Sequence, residues 1–388
     1  MRLRTSILAL YLLVLLSLPG LSWAANAPRA RWTEAEAKAY WAKQPYAVGG
    51  NFLPSDAINQ LEMFQAATYD PAEIDRELGW AQAAGMTTMR VFLHDLLWQQ
   101  DSAGFTQRLD GFLGIAAKHG IHPVLVLFDS CWDPEPKLGP QHPPIPGVHN
   151  SGWVQSPGVA LADPAQQPRF EAYVKGVVGH FASDNRILLW DLWNEPDNGG
   201  GGNYRTNLPN KIALMDTMLP KVFAWARAEG PVQPLSSGVW QHDHWDQEST
   251  WSRTERTQLT ESDVITFHDY SWPEKFEARI VQLERLHRPI LCTEYMARGA
   301  GSTFDGSLPV AARHNVGAIN WGLVKGRMAT YLPWDSWKLP YTDREPTVWF
   351  HDVFYEDGRP YRQAEVDLIR RISAEQHAMH NVSASGSH

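Results

Sequence analysis

Residues 187–196 read Ile-Leu-Leu-Trp-Asp-Leu-Trp-Asn-Glu-Pro. The first seven form a short run rich in large apolar side chains, the pattern of a strand buried on both faces of a parallel sheet. The last three switch to polar and turn-forming chemistry, so an Asn and a Glu stand at the C-terminal end of that strand. A helical pattern precedes the run at residues 167–183, and another follows at 212–229 with Gly230 as its stop. The local unit is therefore strand, loop, helix.

The same unit recurs outward in both directions. Residues 46–52, 87–92, 122–128, 232–237, 263–267, 289–294 and 317–321 read as the other strands. Helices are expected at 33–43, 70–84, 105–119, 274–286 and 309–314, with a closing helix from about Asp367. Thr33 and Glu36 have the spacing of a capping box. Eight strands alternating with helices predict the α/β class, as a single (β/α)8 TIM barrel with long loops at its C-terminal face. The rival is a doubly wound open sheet. It would be favoured by a GxGxxG turn or a phosphate loop, and neither is present. The four glycines at 199–202 lack a lysine and a helix entry, and read as a loop above the barrel.

Composition narrows the function. With 34 Lys+Arg against 43 Asp+Glu the formal charge is -9, which argues against a dedicated nucleic-acid partner. Two cysteines exclude a disulfide scaffold and a four-cysteine zinc site. Parity would allow Cys131 to pair with Cys292, but strands across the barrel from each other hold them too far apart, and two free thiols are expected. The chain has 18 Trp, more than Phe or Tyr. Such an excess fits either a thick aromatic core or indoles that stack on a flat ligand.

The ends read as processing and tail segments. Arg2 and Arg4, the apolar run 7–18 and Ser22-Trp23-Ala24 have the order of a signal peptide over residues 1–24. A secreted or periplasmic location follows, with no membrane association after cleavage. Residues 25–380 are expected as one catalytic domain and 381–388 as a disordered tail.

The chemistry collects at the strand tops, where such barrels carry their sites. Arg90, Asp129, Asn194 and Glu195, His268 and Tyr270, Glu294, and Trp321 end strands two, three, four, six, seven and eight, and Asn51 ends strand one. Strands four and seven lie opposite each other, so Glu195 and Glu294 are expected to face across the mouth. Two facing carboxylates are what glycoside hydrolysis requires, one as acid and one as nucleophile. Arg90 and Tyr270 are suited to keep Glu294 ionised, and Glu195 beside Trp193 and Pro196 to stay protonated. Trp132, Trp153, Trp240, Trp245, Trp334 and Trp337 fall in the loops above, where sugar rings would pack, whereas Trp190 and Trp193 belong near the core. Glu62, in the loop after strand one, is a further candidate to reach the site. The loop Trp240-Gln-His-Asp-His-Trp-Asp246 invites a metal reading, but no His-Glu-x-x-His is present and the proposed chemistry needs neither metal nor cofactor. Gly-x-Ser-x-Gly is absent, against an esterase.

Trp193-Asn-Glu-Pro196 after one strand and Thr293-Glu-Tyr295 ending another resemble the retaining (β/α)8 glycoside hydrolases of clan A, most closely family 5, the cellulase-like enzymes. The resemblance implies Glu195 as acid/base and Glu294 as nucleophile. It implies Asn194 on the sugar 2-hydroxyl, Arg90 beside the nucleophile, His268 and Tyr270 as the strand-six pair, and Trp321 under the sugar. It also implies a cis peptide bond after Trp321. The family often has a histidine after strand three where this chain has Asp129, which is expected to bind a sugar hydroxyl instead; Trp240 is expected to contact substrate. The activity so implied is a β-glycosidase on a β-linked glucan, mannan or xylan, acting as a monomer with a carbohydrate as its only partner. A transglycosidase on the same site and a non-catalytic carbohydrate-binding barrel are the alternatives.

Overall fold

The computed structural model describes residues 29–199, 204 and 206–385; the expected signal peptide, residues 1–24, lies outside them. Within them, eight strands and eleven α-helices alternate as α1 (Glu34–Trp41), β1 (Val48–Asn51), α2 (Gln60–Phe64), α3 (Pro71–Ala83), β2 (Thr88–Phe92), α4 (Asp95–Gln100), α5 (Ser102–Lys118), β3 (Val124–Val126), α6 (Gln167–His180), β4 (Leu189–Asp191), α7 (Lys211–Ala228), β5 (Leu235–Ser236), α8 (Arg253–Glu261), β6 (Ile265–His268), α9 (Pro273–Glu284), β7 (Ile290–Tyr295), α10 (Phe304–Arg313), β8 (Gly317–Asn320) and α11 (Gln363–Ser385). All ladders are parallel, and β1 pairs with both β2 and β8. The β5–β6 seam lacks a continuous ladder because β5 is two residues long. Backbone bonds still cross it: Asp263 N–H donates to Leu235 O at 2.8 Å and His268 N–H to Val239 O at 2.9 Å. The result is a nearly closed (β/α)8 barrel, as the alternating pattern predicts.

Alternation along the strands sorts side chains between two environments. In β7, Glu294 faces the site while Tyr295 packs outward against Phe276 and Phe304. In β4, Asp191 reaches Arg90, while the Trp190 indole donates to Gln233 at 3.1 Å. The N-terminal end of the barrel is plugged by Ala47, Val124, Leu188, Leu189, Val264, Leu291 and Ile319, with Trp41 of α1 packed against them. The C-terminal end is therefore the open one.

Several expectations need adjustment. Helix α8 was not expected, because Arg-Thr-Glu-Arg-Thr-Gln-Leu-Thr-Glu has almost no apolar face; its signal was the Ser252/Glu255 capping box. Helix α10 starts at Phe304, capped by Thr303, and carries Pro309 inside it, whereas the sequence pattern predicts a start at that proline. Helix α11 runs to Ser385, into the segment expected as a tail, since no glycine or proline interrupts the chain before Gly386. Both cysteines are free. Cys131 stands in the loop after β3 rather than on a strand, and Cys292 is buried in β7. No helix among the described residues is long and apolar enough to cross a membrane.

Strand β1 carries the tightest backbone constraint. Gly49 pairs with Thr88, and a Cβ there would stand 1.7 Å from the Thr88 carbonyl oxygen. Gly114, inside α5, has open space where its Cβ would be. Gly49→Ala is predicted to cost about 3 kcal/mol by overpacking, and Gly114→Ala to stabilise by about 0.5–1 kcal/mol through helix propensity. Urea denaturation checks both; equal midpoints for the two variants would contradict this reading of the barrel wall.

Candidate functional site

The site is built around one buried cation. Arg90 rises from β2 with no solvent exposure. Its Nε and Nη2 donate to Asp191 Oδ2 at 3.0 and 2.8 Å, and Nη2 also donates to Asn194 Oδ1 at 2.7 Å. Its Nη1 donates to Glu294 Oε1 at 2.8 Å and to Asn51 Oδ1 at 2.9 Å. One guanidinium thus ties together the tops of β1, β2, β4 and β7. A buried charge without partners would be prohibitively costly, and here two carboxylates supply them.

Glu294 receives a second donor from Tyr270, whose hydroxyl lies 2.8 Å from Oε2. Across the mouth, Glu195 Oε1 is 2.9 Å from His268 Nδ1. Glu195 Oε2 accepts from Asn198 Nδ2 at 2.7 Å and from the Cys131 thiol at 3.2 Å. A carboxylate oxygen of Glu195, one of Glu294 and a ring nitrogen of His268 lie within 4.8 Å of one another. Burial pushes both carboxyls above their ordinary range. Arg90, paired with it at 2.8 Å, and the Tyr270 hydroxyl both favour the ionised form of Glu294. Glu195 accepts from the neutral Asn198 and Cys131 donors and meets His268, whose imidazole is pushed down to about 4 by burial and so is uncharged near neutrality; Arg90 and Lys211 act on it through charge, without a hydrogen bond. Three of the four carboxylate oxygens accept from N–H, O–H or S–H donors that a cation would have to displace, and the fourth, Glu195 Oε1, faces His268 Nδ1. The trio is arranged for proton transfer.

The cavity above these groups, about 160 Å³, is lined by Asp129, Cys131, Trp132, His149, Trp153, Asn194, Glu195, Asn198, Tyr270, Glu294, Trp321 and Trp334. Its wall on one side is a fusion of three loops. Asn59 Nδ2 of the β1 loop donates to Gly152 O at 2.8 Å. From the β3 loop, Asn150 N–H donates to Met328 O and His149 N–H to Ser336 Oγ, both at 2.9 Å. Trp132 and Trp337 stack with centroids 5.2 Å apart, joining the β3 and β8 loops at the rim. A larger cleft of about 530 Å³ lies at the opposite end of the barrel beside Trp41 and Tyr46. Its one carboxylate, Glu284, is paired with His314 at 2.7 Å, so it offers no acid–base pair.

The structure brings most of the sequence-predicted residues together, with some in different positions from those expected. Asp129 is buried, and its carboxylate accepts from Trp153 Nε1 at 2.5 Å, Asn194 Nδ2 at 2.8 Å and the Cys131 N–H at 3.0 Å. With three donors on two oxygens it holds Asn194 instead of presenting a free group to a sugar; burial pushes it up to about 6. Asn51 is likewise spent, donating to Thr293 O and Asn320 O while accepting from Arg90. Trp240 lies outside the cavity lining and donates to Asp197 Oδ1 at 2.6 Å, tying the β5 loop to the β4 loop. Glu62 caps Ile58 N–H and pairs with Arg327 at 2.8 Å, away from the carboxylate pair. Trp245 is fully buried against Phe267. In the same loop, His242 pairs with Glu255 and Asp243 with Arg279 and Lys275. The expected cis bond after Trp321 is not found; the cis bond among the described residues is Ser156–Pro157, and Gly322 turns the chain with φ 75°. Asp191, Asn198 and His149 were missed. Asp191 had a signal, since a charge in the middle of a buried strand needs a partner.

No family model matches the chain. The mannan endo-1,4-beta-mannosidase A of Emericella nidulans is 29% identical over 90 residues, 23% of this chain and 21% of that protein. The chain thus spans about a fifth of the length of the curated relative it matches. Among solved structures, the exo-beta-1,4-mannosidase of Opitutaceae bacterium strain TAV5 is similar with TM-score 0.57 and 18% identity, over 85% of this chain and 60% of that one. The endo-1,4-beta-mannanase of Rhizomucor miehei is similar with TM-score 0.56 and 11% identity, over 87% and 96%. GH5_18 from Streptomyces cattleya, in complex with Manb1-4GlcNAc, has TM-score 0.56 and 12% identity, over 87% and 81%. At these identities the likeness is one of fold, and this chain shares their barrel.

The geometry makes Arg90 a stability residue as well as a site residue. Arg90→Met would leave Asp191 buried without a counter-charge, and is predicted to cost about 3–5 kcal/mol. Denaturant titration checks this; a loss under about 1 kcal/mol would mean the barrel mouth does not depend on the pair.

Proposed function

We propose that this protein is a retaining β-glycosidase that works by double displacement. The observation that carries the reading is the pair Glu195 and Glu294, with oxygens within 4.8 Å and unlike partners, at the floor of an aromatic cavity. A separation of about 5–5.5 Å suits direct attack by one carboxylate, whereas inversion needs about 6.5–9.5 Å to admit a water between them. Glu294, charged and aimed by Arg90 and Tyr270, attacks the anomeric carbon. Glu195 gives its proton to the leaving oxygen. The glycosyl ester on Glu294 is then opened by water, whose proton returns to Glu195.

We further propose a β-mannoside substrate cleaved from a chain end. The names of the similar proteins support the sugar, and the small, walled cavity supports the single-residue bite. Arg2, Arg4 and the apolar run that follows support action outside the cytoplasm, with the chain cut after Ala24.

The test is a panel of aryl β-glycosides and β-1,4-linked manno-oligosaccharides with product sizing and proton NMR of the first-formed anomer. The β-anomer is expected first, one sugar at a time. Glu195→Gln and Glu294→Gln are each expected to lower turnover by about 10²–10⁴-fold or more. The α-anomer appearing first, or either variant keeping near wild-type turnover on a natural glycoside, would overturn the mechanism. Release of long fragments would overturn the chain-end assignment alone.

A further inference from the structure

We infer that Cys131 is a positioning residue for Glu195, and that with Asn198 it reserves Oε2 as an acceptor so that the catalytic proton sits on Oε1. The inference rests on the proposed acid/base role of Glu195. Oε2 accepts from the Cys131 thiol at 3.2 Å and from Asn198 Nδ2 at 2.7 Å. A proton on Oε2 would face both donors, whereas Oε1 faces His268 Nδ1 at 2.9 Å. Burial keeps that imidazole neutral, and in the tautomer with its hydrogen on Nε2 the bare Nδ1 accepts from the Oε1 proton.

The thiol is held where this requires. The Cys131 N–H donates to Asp129 Oδ1, the same oxygen that accepts from Asn194 Nδ2. Ser130 N–H donates to Asn194 O at 3.2 Å. The residue beside the thiol and the residue before Glu195 are therefore locked together. Glu195 itself has φ 43°, a left-handed backbone that a side chain with a Cβ adopts only when its surroundings hold it there. Cys131, Asn198 and His268 are those surroundings. Burial beside Glu195 and Asp129 pushes the thiol well above its ordinary range, so it remains S–H and acts as a donor, not a nucleophile.

The choice of a thiol has a chemical consequence. Glu195 must be an acid in the first step and a base in the second. A cation at 3.2 Å would favour the ionised form strongly, and an apolar group would shift the balance toward the protonated one. A weak neutral donor stabilises the carboxylate modestly and leaves both states accessible. The charged and titratable groups facing Glu195 are His268 of β6, Tyr270 just after it, Glu294 of β7, Arg90 of β2, Lys211 of α7, and Asp129 and Asp197 on the loops beside it. All of these residues stay in place when Cys131 is replaced, and the Cys131 N–H on Asp129 is kept; the sulfur that accepts from Asn194 Nδ2 and Asn198 Nδ2 is what changes.

The experiment compares Cys131→Ala, Cys131→Val and Cys131→Ser with the wild type. Ala and Val both remove the donor, one leaving space and one filling it, while Ser restores an O–H. Loss of a donor to the ionised form raises the Glu195 pKa. The alkaline limb of kcat/KM for a β-1,4-linked manno-oligosaccharide, whose sugar leaving group needs the acid, should then move up by about 0.5–1 pH unit in Ala and Val. The turnover number should fall about 3–10-fold with KM unchanged, and Ser should return the limb toward the wild-type position. An unmoved limb in a folded Ala or Val variant, with folding checked by circular dichroism melting, overturns the proposal. So does an equal shift in Ser. Glu195→Gln run alongside separates the two levels: if it keeps its activity, the acid/base assignment fails; if it is inactive while the Cys131 limb stays put, only the role of Cys131 fails.

Discussion

The buried guanidinium of Arg90 is the constraint on which the rest of the structure depends. It sits in the barrel without solvent and must be neutralised there. Asp191 supplies one charge from β4 and Glu294 another from β7, each at 2.8 Å. Meeting that demand brings opposite sides of the barrel to a common point. It also decides which glutamate is ionised, because Glu294 takes the cation and Glu195 does not. The same group that closes the electrostatics of the core therefore gives the two carboxyls unlike surroundings, as the proposed division of labour requires.

A second layer rests on the first. Asn194 is held by Arg90 on its oxygen and by Asp129 on its nitrogen, which fixes the backbone just before Glu195. Asp129 also takes the Trp153 indole, and Trp153 packs edge-on against Phe92 and Trp321. The aromatic floor and the Glu195 backbone are thus held by one continuous hydrogen-bonded set. Above them, the β1, β3 and β8 loops are joined to one another, so the wall is built from segments far apart in sequence. This explains how loops without regular structure form a defined cavity.

Strand order and the two carboxylates were legible in the chain because they depend on local pattern. The run at 187–193 and the polar residues after it need only periodicity and the rule that barrel chemistry sits at strand tops. Roles set by tertiary partners were not legible. Asp129 and Asn51 have the chemistry to meet a sugar, but Trp153, Asn194, Arg90 and two carbonyls occupy them. The tryptophan excess divides in the same way. Trp132, Trp153, Trp321 and Trp334 line the cavity, whereas Trp190, Trp193 and Trp245 are core, although Trp245 lies in a loop between strands. Helix α8 was missed because its apolar stripe is nearly absent, so that only its cap announced it.

In the mechanism we propose, a carboxylate oxygen of Glu294, held charged by Arg90, forms the bond to the anomeric carbon. The most direct measurement is covalent trapping with a 2-deoxy-2-fluoro β-mannoside carrying a good leaving group, which slows the second step more than the first. Intact mass spectrometry should show a gain of one fluoroglycosyl unit per chain, and peptide mapping should place it on Glu294. An adduct on another residue, or turnover of active enzyme with no adduct at any time, would contradict the account.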